Sequence, residues 1–148
     1  MKDDQLWKEF ITKMHIDDCD YEAWAFGDDE DILARLVLAG EKTATSSAFA
    51  LYEYEKEYVP AAGEYSVLLD SNEDAVCVLR TKSVSIVPFD EVTAEYAYKE
   101  GEGDKSLDYW RMVHEKFFTN CLREVGLDFT VKMEVVCEEF EVVYVPTK

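Results

Sequence analysis

The feature that most limits how this chain can fold is a change of hydrophobic period along it. Residues 106–125 place Leu107, Trp110, His114, Phe117, Phe118, Cys121, Leu122 and Val125 on one broad helical face that ends at Gly126. Residues 76–86 instead put Val76, Val78, Val84 and Ile86 on even positions, the two-residue repeat of a half-buried strand, and residues 65–69 precede them across an Asp70-Ser71-Asn72 turn. The run 134–145 is rich in Val, Phe and Tyr and reads as a long strand with Val136, Phe140, Val142 and Tyr144 on one face. Helices that must bury a wide stripe beside strands that must bury a face predict an α+β fold. The sheet is expected to be mostly antiparallel and able to close into a small barrel with flanking helices.

The remaining elements are shorter. Leu6, Trp7, Phe10, Ile11 and Met14 form a helical stripe behind the acidic pair Asp3 and Asp4, so residues 1–20 read as an N-terminal helical extension. Residues 17–27, acidic but carrying Tyr21, Trp24 and Phe26, read as a packed loop. A helix beginning near Asp28 or Asp29 should run through Ile32, Leu33, Leu36 and Val37 and stop at Gly40 as a left-handed cap. A turn over 40–45 and a weakly helical stretch over 48–57 follow, and 89–99 is helical.

With 148 residues and 48% hydrophobic content the chain can build the core of one domain spanning 1–148. Its 33 acidic against 15 basic residues give a net charge of −18. That balance excludes partners held mainly by phosphate charge, namely duplex DNA and anionic membrane surfaces. Cys19, Cys77, Cys121 and Cys137 form no C-x-x-C pair, and three of them lie in apolar runs, as buried thiols in a reducing compartment would. Charges at Lys2, Asp3, Asp4, Lys8 and Glu9 stand where a signal peptide needs an apolar core, so a cytoplasmic protein is expected.

Two segments concentrate reactive side chains. In Ala39-Gly40-Glu41-Lys42-Thr43-Ala44-Thr45-Ser46-Ser47 a helix stop is followed by one lysine and four hydroxyls. It is either a capped helix end with solvated threonines or a turn that presents Lys42 beside the hydroxyl of Thr45. In Glu100-Gly101-Glu102-Gly103-Asp104 carboxylates alternate with glycines, either as a flexible acidic turn before a helix capped by Asp104 or Ser106, or as carboxylates aimed into a site. No obligatory metal site is expected there, because the glycines loosen the cluster and the segment holds no histidine. His114, four residues after Trp110, reads as a core histidine.

These pieces, in order, resemble the ASCH domain family, whose fold is similar to the PUA barrel. The resemblance runs through Trp24-Ala25-Phe26-Gly27, Leu38 to Ser46, Gly63-Glu64-Tyr65, Phe89-Asp90-Glu91-Val92, Glu100 to Asp104, Trp110-Arg111, His114, Phe117-Phe118 and Val136-Cys137-Glu138-Glu139-Phe140. In the amidohydrolase branch of that family, which acts on N4-acetylcytidine, a lysine, a threonine and a glutamate are catalytic. The Ala-Gly-x-Lys-Thr-x-Thr match carries them onto Lys42, Thr45 and Glu100. The resemblance further implies a cleft holding a nucleoside, a nucleotide or a base of single-stranded RNA, without a cofactor or metal, and lined by Trp24, Phe26, Gly40, Ser46, Ser47, Glu102 and Arg111. Other family members imply the alternatives of an RNA-binding module or a ribonuclease. One departure stands out: Ser47 occupies the position where the amidohydrolases carry an arginine. As residues of a site on a turn, Lys42 and Thr45 are expected to be replaceable with little effect on fold stability.

Overall fold

The stripe of residues 106–125 becomes helix α5, Leu107–Arg123, in a computed structural model that describes residues 1–146. Ser106 caps it by accepting a hydrogen bond from the Tyr109 amide at 3.1 Å. Trp110, His114, Phe118 and Leu122, each four residues from the next, are buried. The other helices are α1 (Asp3–Lys13), α2 (Glu30–Leu38), α3 (Phe49–Glu55) and α4 (Ala94–Glu100), with a short 3₁₀ turn at Phe89–Glu91. Gly40 is the left-handed residue after α2, with φ +78°, and its amide bonds the Val37 carbonyl while that of Glu41 bonds Leu36. This is the Schellman closure expected of that glycine.

Among the described residues five strands form one sheet: β1 (Tyr21–Trp24), β2 (Ala44–Ala48), β3 (Tyr65–Leu69), β4 (Ala75–Pro88) and β5 (Glu134–Tyr144), in the order β1-β3-β4-β5-β2. Only the β1–β3 pair is parallel. The expected barrel does not close, because β1 and β2 are the two edges and do not pair with each other. β1 has four residues and β2 five, and side chains from both line a cavity of about 740 Å³ where closure would occur.

Three further expectations need correction. Residues 21–24, read as loop, are a strand, since four residues at an edge are too few to show a period. Thr45, Ser46 and Ser47, read as turn and helix start, lie in β2, where pairing with β5 fixes the backbone against a weak local preference. β4 is also not half-buried in its first half. Cys77 and Leu79 pack beneath α2 with Phe26, Leu68 and Phe140, whereas Val78 packs on the opposite face against Leu6, Trp7 and Phe10 of α1. A third cluster joins α4 and α5 to the sheet through Phe89, Trp110, Phe118 and Val135. All four cysteines are free thiols. Among the described residues no helix is long and apolar enough to cross a membrane.

Candidate functional site

The segment after α2 brings Lys42 inward, and the segment after α4 meets it. Lys42 is 1% exposed, and its Nζ lies 3.1 Å from Glu100 Oε1, 2.9 Å from Glu102 Oε2 and 3.4 Å from the Glu100 carbonyl. An ammonium has three N–H bonds and no lone pair, which is the form that three surrounding acceptors suit. The Thr43 amide also bonds the Lys99 carbonyl at 2.8 Å, locking the two segments together.

Gly101 permits this approach. Its φ is +71°, and a Cβ there would stand 2.1 Å from the Glu41 carbonyl oxygen. At Gly103, φ +58°, a Cβ would strike the Tyr109 ring at 2.4 Å. The glycines between the carboxylates are therefore dictated by close packing and a left-handed backbone, not by looseness.

Glu100, 1% exposed, is the hub of the site. Its Oε2 accepts hydrogen bonds from Ser46 Oγ and from Trp110 Nε1, the latter at 2.5 Å, and His114 Nε2 stands 3.6 Å from Oε1. Burial by itself would raise the Glu100 carboxyl, but the charges of Lys42 and His114, with hydrogen bonds from His114 and Ser46, hold it well below the usual carboxylate range. Burial would lower His114, and Glu100 outweighs it and raises the imidazole above its ordinary value. His114 is thus the core residue the stripe implies, stacked on Trp110 at 4.3 Å, and also a partner of the buried carboxylate.

Donor atoms of Glu100, Glu102 and His114 lie within 4.8 Å of one another and could hold a cation. The histidine missing from the acidic segment comes from α5, so a donor set exists that the sequence did not show. In this arrangement the Lys42 ammonium stands against both carboxylates.

The half-buried Thr45 and Ser46 line the junction of two cavities. The smaller, about 320 Å³, is floored by Lys42, Glu100, Glu102 and His114. The larger is the space between the sheet edges. Phe26, Gly27 and Phe117 line both, and the Phe26 ring lies 5.2 Å from Lys42 Nζ. The Thr45 hydroxyl has no hydrogen-bond partner among the described residues, while its carbonyl accepts a 2.7 Å bond from the Tyr96 hydroxyl.

The remaining expected residues are placed as follows. Trp24 and Ser47 line only the larger cavity, with Trp24 edge-on to Phe26 and Ser47 Oγ 2.9 Å from the Tyr52 hydroxyl. Gly40 lines neither of them and serves as the stop of α2. Arg111 also lines neither: its guanidinium points to the Asp90 carbonyl, 3.4 Å away. One helical position beyond the inward Trp110, it is carried away from the cleft.

Two residues were missed. Tyr96 fixes the backbone of Thr45 from α4. Glu138, 9% exposed, is the cross-strand partner of Thr45. Neither carries a local signal, because each reaches the site through a pairing distant in sequence.

The family model for the ASCH domain matches residues 22–144. A crystal structure of protein EF3133 from Enterococcus faecalis V583 is similar, at 36% identity over 96% of this chain and 88% of that one, with a TM-score of 0.90. The ASCH domain from Lactobacillus crispatus JV V101 is 30% identical over 95% of each chain, with a TM-score of 0.86. The hypothetical protein PH0355, 20% identical over 83% of this chain and 98% of that one with a TM-score of 0.54, shares the fold. No curated protein matches the chain. The family model over most of the sequence and the two close structures show that this chain belongs to the ASCH domain family.

Proposed function

We propose that this protein hydrolyses the amide of an N-acylated nucleoside of the N4-acetylcytidine kind, with Thr45 as nucleophile and Lys42 and Glu100 as its catalytic partners. The observation that carries the reading is the unpartnered Thr45 hydroxyl at the mouth of a small cavity whose floor is the buried Lys42–Glu100–Glu102 cluster. In the first step Thr45 Oγ1 bonds to the acyl carbon and the carbon–nitrogen bond breaks. The Lys42 ammonium offers positive charge to the oxyanion, which needs preorganised charge in a dry site. The hydroxyl proton of Thr45 ends on the departing nitrogen, with Lys42 as the relay that gives one proton and takes the other. Water then cleaves the threonyl ester to release the acid and regenerate Thr45. Glu100 and Glu102 hold the lysine in place.

The RNA-binding alternative assigns phosphate to Lys42 and Arg111. The second faces Asp90 and lines neither cavity, so the two are not brought together on one phosphate. The deciding experiment is turnover of N4-acetylcytidine by the wild type and by Thr45→Ala and Thr45→Ser. Loss of the nucleophile should cost about three orders of magnitude or more in kcat, with partial activity in the serine variant. Wild-type hydrolysis no faster than that of Thr45→Ala overturns the reading.

A further inference from the structure

Four carboxylates, those of Glu22, Glu57, Glu64 and Glu138, line the larger cavity against one cation, Lys56. Among the described residues none of the five forms an ion pair. The three rim carboxylates are exposed, whereas Glu138 is more than nine-tenths buried. Its Oε2 accepts a 2.7 Å hydrogen bond from Thr81 Oγ1, and its Oε1 has no partner among the described residues.

A buried carboxylate without a counter-charge is costly, and the neighbouring cavity shows how this fold meets that cost. Burial would raise the Glu100 carboxyl, but the Lys42 ammonium, 3.1 Å from its Oε1 and 5.2 Å from the Phe26 ring, opposes it and the carboxyl is held low. Phe26 lines the larger cavity too, and Glu138 likewise has a hydroxyl donor beside it. No ammonium among the described residues reaches it, and burial, with Glu64 nearby, raises its carboxyl against the Thr81 hydrogen bond. What Glu138 lacks is the cation that Glu100 has.

The arrangement of the carboxylates narrows the kind of cation. Among the described residues the only three acidic, histidine or cysteine donors within 4.8 Å of one another are Glu100, Glu102 and His114, so the larger cavity has no convergent cage for a metal ion. Its carboxylates are nevertheless grouped around one space. Burial, and then Glu138, Glu57 and Glu22 together, push up the Tyr52 hydroxyl against its hydrogen bond with Ser47. Separated negative charges around one space suit a flexible chain that carries several positive centres.

The rest of the wall suits the stem of such a chain. Trp24, Phe26, Leu51, Val59 and Pro60 provide apolar surface for methylene groups, and the aromatic rings also attract ammonium groups. A primary ammonium has three donors; Glu138 Oε1 can accept one, and the Ser66 and Ser47 hydroxyls in the same wall are further acceptors. At about 740 Å³ the cavity falls in the range of small-ligand sites.

We infer that the space between the open sheet edges is a binding site for an aliphatic polyamine, with one primary ammonium on Glu138 and the others at the carboxylates of the rim. The inference is independent of the hydrolase reading, since it needs no turnover and no acyl group.

The test is calorimetric binding of spermidine, butylamine and 1,4-butanediol to the full chain at pH 8, where the amines are charged. Spermidine should bind about tenfold or more tightly than butylamine, and the diol should not bind. Glu138→Gln keeps the shape and the Thr81 hydrogen bond but removes the charge, and should weaken both amines about tenfold or more. Glu57→Gln should weaken spermidine and leave butylamine unchanged. Glu115→Gln, on the exposed surface of α5 and outside the cavity, removes the same charge and should alter neither. Magnesium chloride should compete with spermidine no better than sodium chloride of equal ionic strength. Spermidine bound no more tightly than butylamine, displaced preferentially by magnesium, or weakened as much by Glu115→Gln as by Glu138→Gln overturns the inference and marks a diffuse attraction to an acidic protein. Should Glu138→Gln fail to fold, equal spermidine affinities of Glu57→Gln and Glu115→Gln overturn it as well.

Discussion

Glu100 and Glu138 are both buried, 1% and 9% exposed, yet their carboxyls are driven in opposite directions. Around Glu100 the chain places Lys42, His114 and the donors of Ser46 and Trp110, and their charge overcomes desolvation. Around Glu138 it places one threonine hydroxyl and a further carboxylate, Glu64, and desolvation prevails. Burial raises both; the presence or absence of a buried cation decides the sign. Two acids on adjoining cavities thereby acquire different surroundings, one as the fixed counter-charge of a lysine and the other with its ionised form disfavoured by burial.

The severest way to break this contrast is to remove the cation. Lys42→Ala leaves Glu100 and Glu102 facing each other without compensation and should destabilise the fold by about 3–5 kcal/mol, measured by chemical denaturation. This corrects the expectation that the residue could be replaced at little cost to the fold, because it is an almost fully buried ion-pair partner and not the tip of an exposed turn. Next in size is Gly101→Ala, which puts a methyl group into the Glu41 carbonyl at a positive φ. A cost of about 2 kcal/mol or more is expected, read as a lower Tm, and turnover should fall with it as the carboxylates draw back from Lys42.

Glu138→Gln should act in the opposite sense on stability. The amide oxygen still accepts from Thr81, while the cost of a buried charge near Glu64 disappears, so a gain of about 1 kcal/mol at neutral pH is expected. A loss in the same denaturation experiment would mean that Glu138 has a cationic partner when folded.

The smallest effect is the pH profile. Glu100 is lowered on folding, so its stabilising contribution is present above its unfolded value of 4.5 and is lost only as pH falls through the folded value beneath it. Glu138 and His114 are both raised. Each contributes stability that is complete below its unfolded value, 4.5 and 6.5, and is lost as pH rises through its folded value. Melting temperature should therefore decline on the alkaline side in two windows. Glu138→Gln should flatten the one that begins above 4.5, and His114→Gln the one that begins above 6.5. A wild-type stability that rises steadily from pH 5 to 9 contradicts both assignments.

Much of the fold is legible from local pattern. The stripe of α5, the left-handed stop at Gly40, the β3–β4 turn and the long β5 strand are each specified by residues within a few positions of one another. The open sheet is not, because closure depends on whether two short edges separated by twenty residues or more come within hydrogen-bonding distance. β1 and β2 also lack the length to display a period. At the site, composition singled out the segments of Lys42 and Glu100 with two readings open for each, the family resemblance implied their catalytic roles, and their burial as an ion pair rests on the approach that Gly101 allows.

The sequence by itself determined which segments are helix and which are long strand, because side-chain periodicity must match the geometry of the element that buries it. It also determined that the chain is strongly acidic. Only the tertiary structure decided which of the 33 acidic residues are buried and what each one faces. Glu100 meets a lysine 58 positions away, and Glu138 pairs across the sheet with Thr45. The proton affinity of a buried carboxyl is set within a few ångströms by neighbours that the fold supplies, not by those beside it in the chain.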